Sequence, residues 1–170
     1  MIERPKPQYR SGIGTDIHRL VEGRDLMLGG VLIAHPLGLI GHSDGDVALH
    51  AIIDSLLGAA CMGDIGTLFP DTDDEWKGSD SKDLLLIVKD MLDEQDWEIA
   101  NIDLIIHAEE PKLGAYKAQI KRCIASLLGI DFTTVNVKAK TNEGLGEIGE
   151  GLAIGATAAV LLMKRYRRTL

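Results

Sequence analysis

Aromatic side chains are scarce: Phe, Trp and Tyr make up 4% of the 170 residues. The core must therefore be built mainly from Leu, Ile, Val and Ala. Cysteine is scarcer still. Cys61 and Cys123 stand far apart with no C-x-x-C, which leaves no disulfide framework; they read as buried small residues in a reducing compartment. Positive charge is in deficit, with 18 Lys and Arg against 26 Asp and Glu and a net charge of −8. That balance argues against a nucleic-acid partner and means that an anionic substrate would need a local cation. No apolar run is long enough to cross a membrane. Met1 to Tyr9 carries charges and prolines but no apolar core. It reads as a short disordered arm, not a secretory signal, and the expected location is the cytoplasm.

What remains is an ordinary globular composition, 45% hydrophobic and 26% charged. A chain of this length suggests one domain, able to bury roughly 70% of its unfolded surface. The expected division is an arm over residues 1–9, a single domain over 10–165 and a basic tail over 166–170.

The densest chemistry is His42-Ser43-Asp44-Gly45-Asp46-Val47-Ala48-Leu49-His50. Ser43 reads as the N-cap of a helix and Asp46 as its reciprocal acid; Val47, Leu49, Ile52, Leu56 and Leu57 form the helix body, ending near Ala60. His50 lies one turn after Asp46 and one turn before Asp54. Either carboxylate is a candidate to orient the imidazole if it binds a metal; the other reading is a satisfied histidine on a wet helix face. Upstream, Ile13, Thr15 and Ile17 alternate with Gly14, Asp16 and His18, a strand period that puts Asp16 and His18 on one face. Asp16, His18 and His50 make an N/N/O set suited to zinc with an open fourth position. The alternative for the pair on the strand is a solvated strand end.

Two short apolar runs around Gly29-Gly30 predict a hairpin, and Pro36, Gly38 and Gly41 mark a loop. The stretch from Gly63 to Ser79 lacks a period and is long for a plain connection, so it is expected to wall or cover a substrate, the other reading being plain disorder. Helices are expected over Ser81 to Asp93 and Tyr116 to Leu128, with Gly129 as a stop. Strands are expected over Ile99 to His107, covered on both faces, and Thr133 to Ala139. Leu152 to Met163, Ala-rich and apolar all round, reads as a buried or interfacial helix. The class is α+β or α/β, with helices on one face of a sheet.

The blocks Gly14-Thr15-Asp16-Ile17-His18, HSDGDVALHAIIDSLLGAACMGDIGTLFPDTD from His42 to Asp73, EPK from Glu110 and VKAKTNEGLG from Val137 together resemble the 2-C-methyl-D-erythritol 2,4-cyclodiphosphate synthases. The resemblance implies a homotrimer with active sites between subunits, each subunit a mainly four-stranded mixed sheet with helices on one face. It implies that 4-CDP-2-C-methyl-D-erythritol 2-phosphate closes to the cyclic diphosphate with loss of CMP, in the non-mevalonate route to isoprenoids, in the cytoplasm or a plastid stroma.

On that resemblance Asp16, His18 and His50 hold Zn²⁺, and Glu143 holds Mg²⁺ or Mn²⁺ bridging the diphosphate. His42 and Thr141 stabilise the transition state. Ser43, Asp64, Ile65, Gly66, Phe69, Pro70, Asp71, Thr72 and Asp73 bind the methylerythritol phosphate. Ala108, Pro111, Lys112, Leu113 and Gly114 form the cytidine loop, and Lys140 and Asn142 are further substrate-binding positions. Glu147 and Glu150 stand where common bacterial members carry Phe and Arg, and glutamates there would repel an isoprenoid diphosphate on the trimer axis. Two other readings compete. A mononuclear zinc hydrolase of nucleotide diphosphates would need Asp46 or Asp64 as base. A trimeric binding module would have no use for the retained metal and threonine positions.

Overall fold

The computed structural model describes residues 8–165. The tail expected over 166–170 lies outside them, as does most of the expected arm; Tyr9 already belongs to the first strand. In chain order the elements are β1 (Tyr9–Glu22), β2 (Leu26–Leu28), β3 (Val31–Ile33), β4 (Leu37–Leu39), α1 (Val47–Ala60), α2 (Ile65–Leu68) and α3 (Ser81–Glu94). They continue with β5 (Trp97–His107), α4 (Lys117–Leu128), β6 (Val135–Lys140), α5 (Gly146–Gly149) and β7 (Ala153–Lys164).

Five strands form one mixed sheet in the order β4-β1-β7-β5-β6, not the four expected, and β2 and β3 form a separate ribbon. The extra strand, β4, is a short edge. It pairs with Leu20 to Glu22 of β1 from inside the Pro36–Gly41 segment that reads as loop. Among the described residues only β5 and β6 run parallel. Helix α1 lies on β1 and β7, α3 packs against α1 and β5, and α4 covers β6.

The largest departure from expectation is β7. The Ala-rich run is a central strand, antiparallel to β1 on one side and β5 on the other. Ile154, Ala156, Ala158, Val160 and Leu162 are buried on the helix side. Alanine has the highest helix propensity, but a strand pairs with this run on either side and tertiary pairing overrides it. The small side chains let α1 settle close to the sheet.

The opposite sheet face carries none of the three long helices; the short helix α5 reaches it at one end, where Ile148 lies over Gly155. Ile13 and Ile17 of β1 are 70% and 56% exposed. Strand β5 is thus covered on one face within the chain, its residues alternating between buried and half-buried, where its apolar density suggested cover on both.

Helix α1 begins one turn later than Ser43 would place it. Asp46 is the N-cap, its carboxylate accepting from the amides of Ala48 and Leu49. The same carboxylate accepts from Gly29 and Gly30 in the β2–β3 turn, at 2.8 and 2.7 Å. Its four amide partners come from two segments, so Asp46 ties the ribbon to the helix start. Leu49, Ile52 and Leu56 are fully buried, each contributing about 1.5–3 kcal/mol. The helix ends at Cys61 in the left-handed region, φ 60°. Cys61 is exposed and Cys123 half-buried, so neither is the buried residue expected.

Candidate metal centre and ligand cleft

The site follows from two glycines. Gly12, Gly14, Asp16 and His18 share one face of β1 by the two-residue period. A Cβ on Gly12 would lie 2.0 Å from the Ser55 carbonyl oxygen, and one on Gly14 2.2 Å from that of Ala51. Helix α1 therefore rests on bare strand backbone. One step further along β1 the same close approach brings His50 over Asp16 and His18.

The donor atoms converge. His18 Nε2 and His50 Nδ1 lie 3.0 and 2.8 Å from Asp16 Oδ2 and 3.3 Å from each other. Three ligands at ~2.0–2.1 Å from a tetrahedral ion stand about 3.3 Å apart. The triangle is a slightly contracted version of that, so the residues fit a divalent metal. The other Asp16 oxygen takes the Ile17 amide at 2.9 Å, which fixes the carboxylate.

The electrostatics agree. Burial works to raise the Asp16 pKa, but hydrogen bonds from His18 and His50 outweigh it and hold the carboxyl far below the usual range. The hydrogen bond to Asp16 raises His18, against its burial. Such a cluster attracts positive charge, as a proton or as a metal ion.

Neither carboxylate expected to orient His50 does so. Asp46 is fully engaged with backbone amides. Asp54 accepts the Ile65 amide at 2.8 Å, and burial raises its pKa. Instead, His50 Nε2 meets Ser81 Oγ at 2.9 Å and Ser43 Oγ at 3.0 Å. Asp46 is equally unavailable as a hydrolytic base, and Asp64, which caps α2 through the Thr67 amide, does not line the cleft beside the triangle.

A cavity of about 470 Å³ opens beside the triangle, lined in part by His42, Ser43, Ile65, Gly66, Phe69, Asp71 and Asp73. The Gly63–Ser79 stretch forms its wall, stiffened by an edge-to-face contact of Phe69 and Trp76 at 5.0 Å. Trp76 and Lys77 also line it and were not singled out from the sequence. Pro70 and Thr72 lie between lining residues but do not line it.

The remaining candidates gather elsewhere. Ala108, Pro111, Lys112, Leu113 and Gly114 follow β5, and Thr141, Asn142 and Glu143 follow Lys140 at the end of β6. The two loops are stitched together: the Ala108 amide donates to the Lys140 carbonyl at 2.9 Å, and the Asn142 amide to Glu109 Oε2 at 3.2 Å. Thr141 Oγ1 donates to Glu143 Oε1 at 2.6 Å, and Glu143 sits at φ 53°. Ile17, Gly155, His107 and Lys140 form one row across the sheet. This cluster is thus at the same sheet end as the triangle, but β5 is two strand spacings from β1 and β6 three, roughly 10 and 14 Å. None of these residues lines the cavity.

An α+β sheet protein with a candidate metal triangle on the wall of a cleft is the class that fold and site define. The model of the YgbB family matches residues 9–163. A Clostridium perfringens 2-C-methyl-D-erythritol 2,4-cyclodiphosphate synthase is 52% identical over 91% of this chain and 99% of its own. The bifunctional IspDF of Campylobacter jejuni superposes with TM-score 0.91 and 41% identity, over 95% of this chain and 44% of that longer one. The Plasmodium falciparum IspF CDP complex gives 0.82 and 37%, over 93% and 97%. The chain belongs to the YgbB family, in company with the cyclodiphosphate synthases.

Proposed function

We propose that this protein is a cyclising, CMP-releasing phosphorus–oxygen lyase. It converts 4-CDP-2-C-methyl-D-erythritol 2-phosphate to 2-C-methyl-D-erythritol 2,4-cyclodiphosphate. A 2-phosphate oxygen attacks the β-phosphorus of the same molecule, the bond from that phosphorus to the CMP oxygen breaks, and CMP leaves with the electron pair. The observation that carries the reading is the Asp16–His18–His50 triangle beside a cleft, in a chain half identical to named synthases.

Ring closure needs the flexible substrate folded into line, and a fitted cleft can supply several kcal/mol by position alone. Ser43, Ile65, Gly66 and the Phe69–Asp73 wall hold the methylerythritol phosphate, with Asp64 bracing the α2 turn. Ala108 to Gly114 grip the cytidine; Lys140 and Asn142 flank the phosphates. His42 and Thr141 stabilise the charge that builds at the β-phosphorus. Asp16, His18 and His50 would hold Zn²⁺ and Glu143 Mg²⁺ or Mn²⁺, which when bound supply Lewis-acid polarisation and offset repulsion between anionic groups. No protein nucleophile is needed.

The two candidate clusters lie apart in one chain, and Ile13 and Ile17 stand exposed on the sheet face away from α1. Both features support a homotrimer in which one subunit offers the metal triangle and its neighbour the cytidine loop and Glu143. Glu147 in α5 and Glu150 at its end would make the axis acidic and unfit for an isoprenoid diphosphate.

The test is incubation of purified protein with the CDP-linked substrate and Mg²⁺. CMP is followed by chromatography and the second product by ³¹P resonance. The cyclic diphosphate is the expected product; a linear bisphosphate would overturn the reading in favour of a zinc hydrolase.

A further inference from the structure

His50 has a second nitrogen, and what faces it decides whether the first can bind a metal. An imidazole coordinates through a lone pair, so for Nδ1 to coordinate, the ring proton must sit on Nε2. His50 Nε2 lies 2.9 Å from Ser81 Oγ. Ser81 Oγ in turn donates to Asp44 Oδ1 at 2.5 Å. A carboxylate accepts and does not donate, so the single Ser81 proton is committed to Asp44. The serine oxygen then offers only lone pairs to His50, and a proton on Nε2 is the arrangement that satisfies both contacts. Ser43 Oγ, 3.0 Å from the same nitrogen, accepts the Gly45 amide; with its own proton turned to Ser81 Oγ at 3.3 Å it adds a second, longer acceptor.

We propose that Ser81, polarised by Asp44, is a positioning residue for the metal: it fixes the His50 tautomer and ring plane so that Nδ1 faces Asp16 and His18. The inference rests on the metal assignment made above and concerns residues given no role there. Ser81 is fully buried at the first position of α3, and His50 is 8% exposed. The remaining side-chain contact of Ser81, to Ser43 Oγ at 3.3 Å, stays within the same network around His50. The device also couples elements, because this hydroxyl ties the start of α3 to the centre.

Outer hydrogen-bond partners of metal-binding histidines typically alter affinity 10–100-fold. The experiment measures Zn²⁺ affinity of chelator-stripped protein by competition with a chromophoric chelator, on the full chain, for wild type, Ser81→Ala and Ser81→Thr. Ser81→Ala is expected to bind Zn²⁺ about 10-fold or more weakly, and Ser81→Thr, which keeps the hydroxyl, is expected to restore most of the loss. Thermal unfolding of the stripped proteins reports whether each variant is folded. Should Ser81→Ala not fold, Asp44→Asn is the second variant: its amide can donate to Ser81, turn the hydroxyl proton toward His50 and weaken binding in the same direction. A folded variant with wild-type Zn²⁺ affinity overturns the proposal. Because the readout is binding and not turnover, this result stands apart from the synthase assay: an enzyme that fails to cyclise its substrate can still pass it.

Discussion

At the scale of single residues, the HSDGD stretch divides its labour. His42 and Ser43 line the cleft, Asp44 receives the Ser81 proton, and Asp46 holds four backbone amides. A lone buried carboxylate is costly unless its lone pairs are filled, and at Asp46 the helix start and the β2–β3 turn fill them together. Truncating it strips the acceptor from amides that water reaches poorly. Asp46→Ala is therefore expected to lower unfolding free energy by about 3–5 kcal/mol, with Asp46→Asn, which keeps one oxygen, losing markedly less. Urea denaturation checks this, and a loss below about 1 kcal/mol for the alanine variant would show that the amides find other partners. From sequence, Asp46 reads as a partner for His50 because it is one helical turn away. Spacing gives which face a side chain shares, not which of two competing acceptor duties it performs.

At the scale of elements, the metal triangle depends on how closely α1 lies on β1. Gly14→Ala puts a methyl carbon 2.2 Å from the Ala51 carbonyl oxygen, far inside contact distance. The backbone of α1 must move away, and His50 is carried by the next residue along the contact. The expected result is a loss of about 1–3 kcal/mol or more, with a fall in Zn²⁺ affinity larger than Ser81→Ala causes. Unfolding and metal competition on the same preparation read both; unchanged affinity would show that the triangle tolerates a displaced helix.

The sequence reveals elements wherever one face is polar: the alternation around Asp16 and His18, the stripes of α3 and α4, and the Gly-Gly hairpin all show their period. It conceals β7, whose Ala153–Lys164 run is apolar on both faces, so that neither a helical nor a strand period stands out. It conceals β4 because Pro36, Gly38 and Gly41 signal a turn around three paired residues. The metal residues were legible because two of them share one strand. Ser81 was not: it is 31 residues from His50, and its serine type carries no mark of the contact.

At the scale of the whole molecule, the arrangement raises a question of completeness. The triangle and cleft belong to β1, α1 and the Gly63–Ser79 wall, while Thr141 and Glu143 follow β6, three strands away. If both sets act on one substrate, they come from different copies of the chain, and the exposed Ile13 and Ile17 face is the surface on which copies would meet. Subunit mixing tests this. His50→Ala removes one half of every site in its own trimers, and Glu143→Ala removes the other half, so each variant alone is expected to be inactive. In a trimer mixed from both, one of the three boundaries pairs an intact His50 with an intact Glu143, whichever variant contributes two copies. Random reassembly of equal amounts yields three mixed trimers for each pure one, so activity should return to roughly a quarter of wild type. A site built within one chain gives no recovery at any mixing ratio. Light scattering on the same samples should report three copies, and the substitution Ile17→Glu, which places a charge on the open face, should lower that number and abolish the recovery while leaving Zn²⁺ binding by the single chain in place.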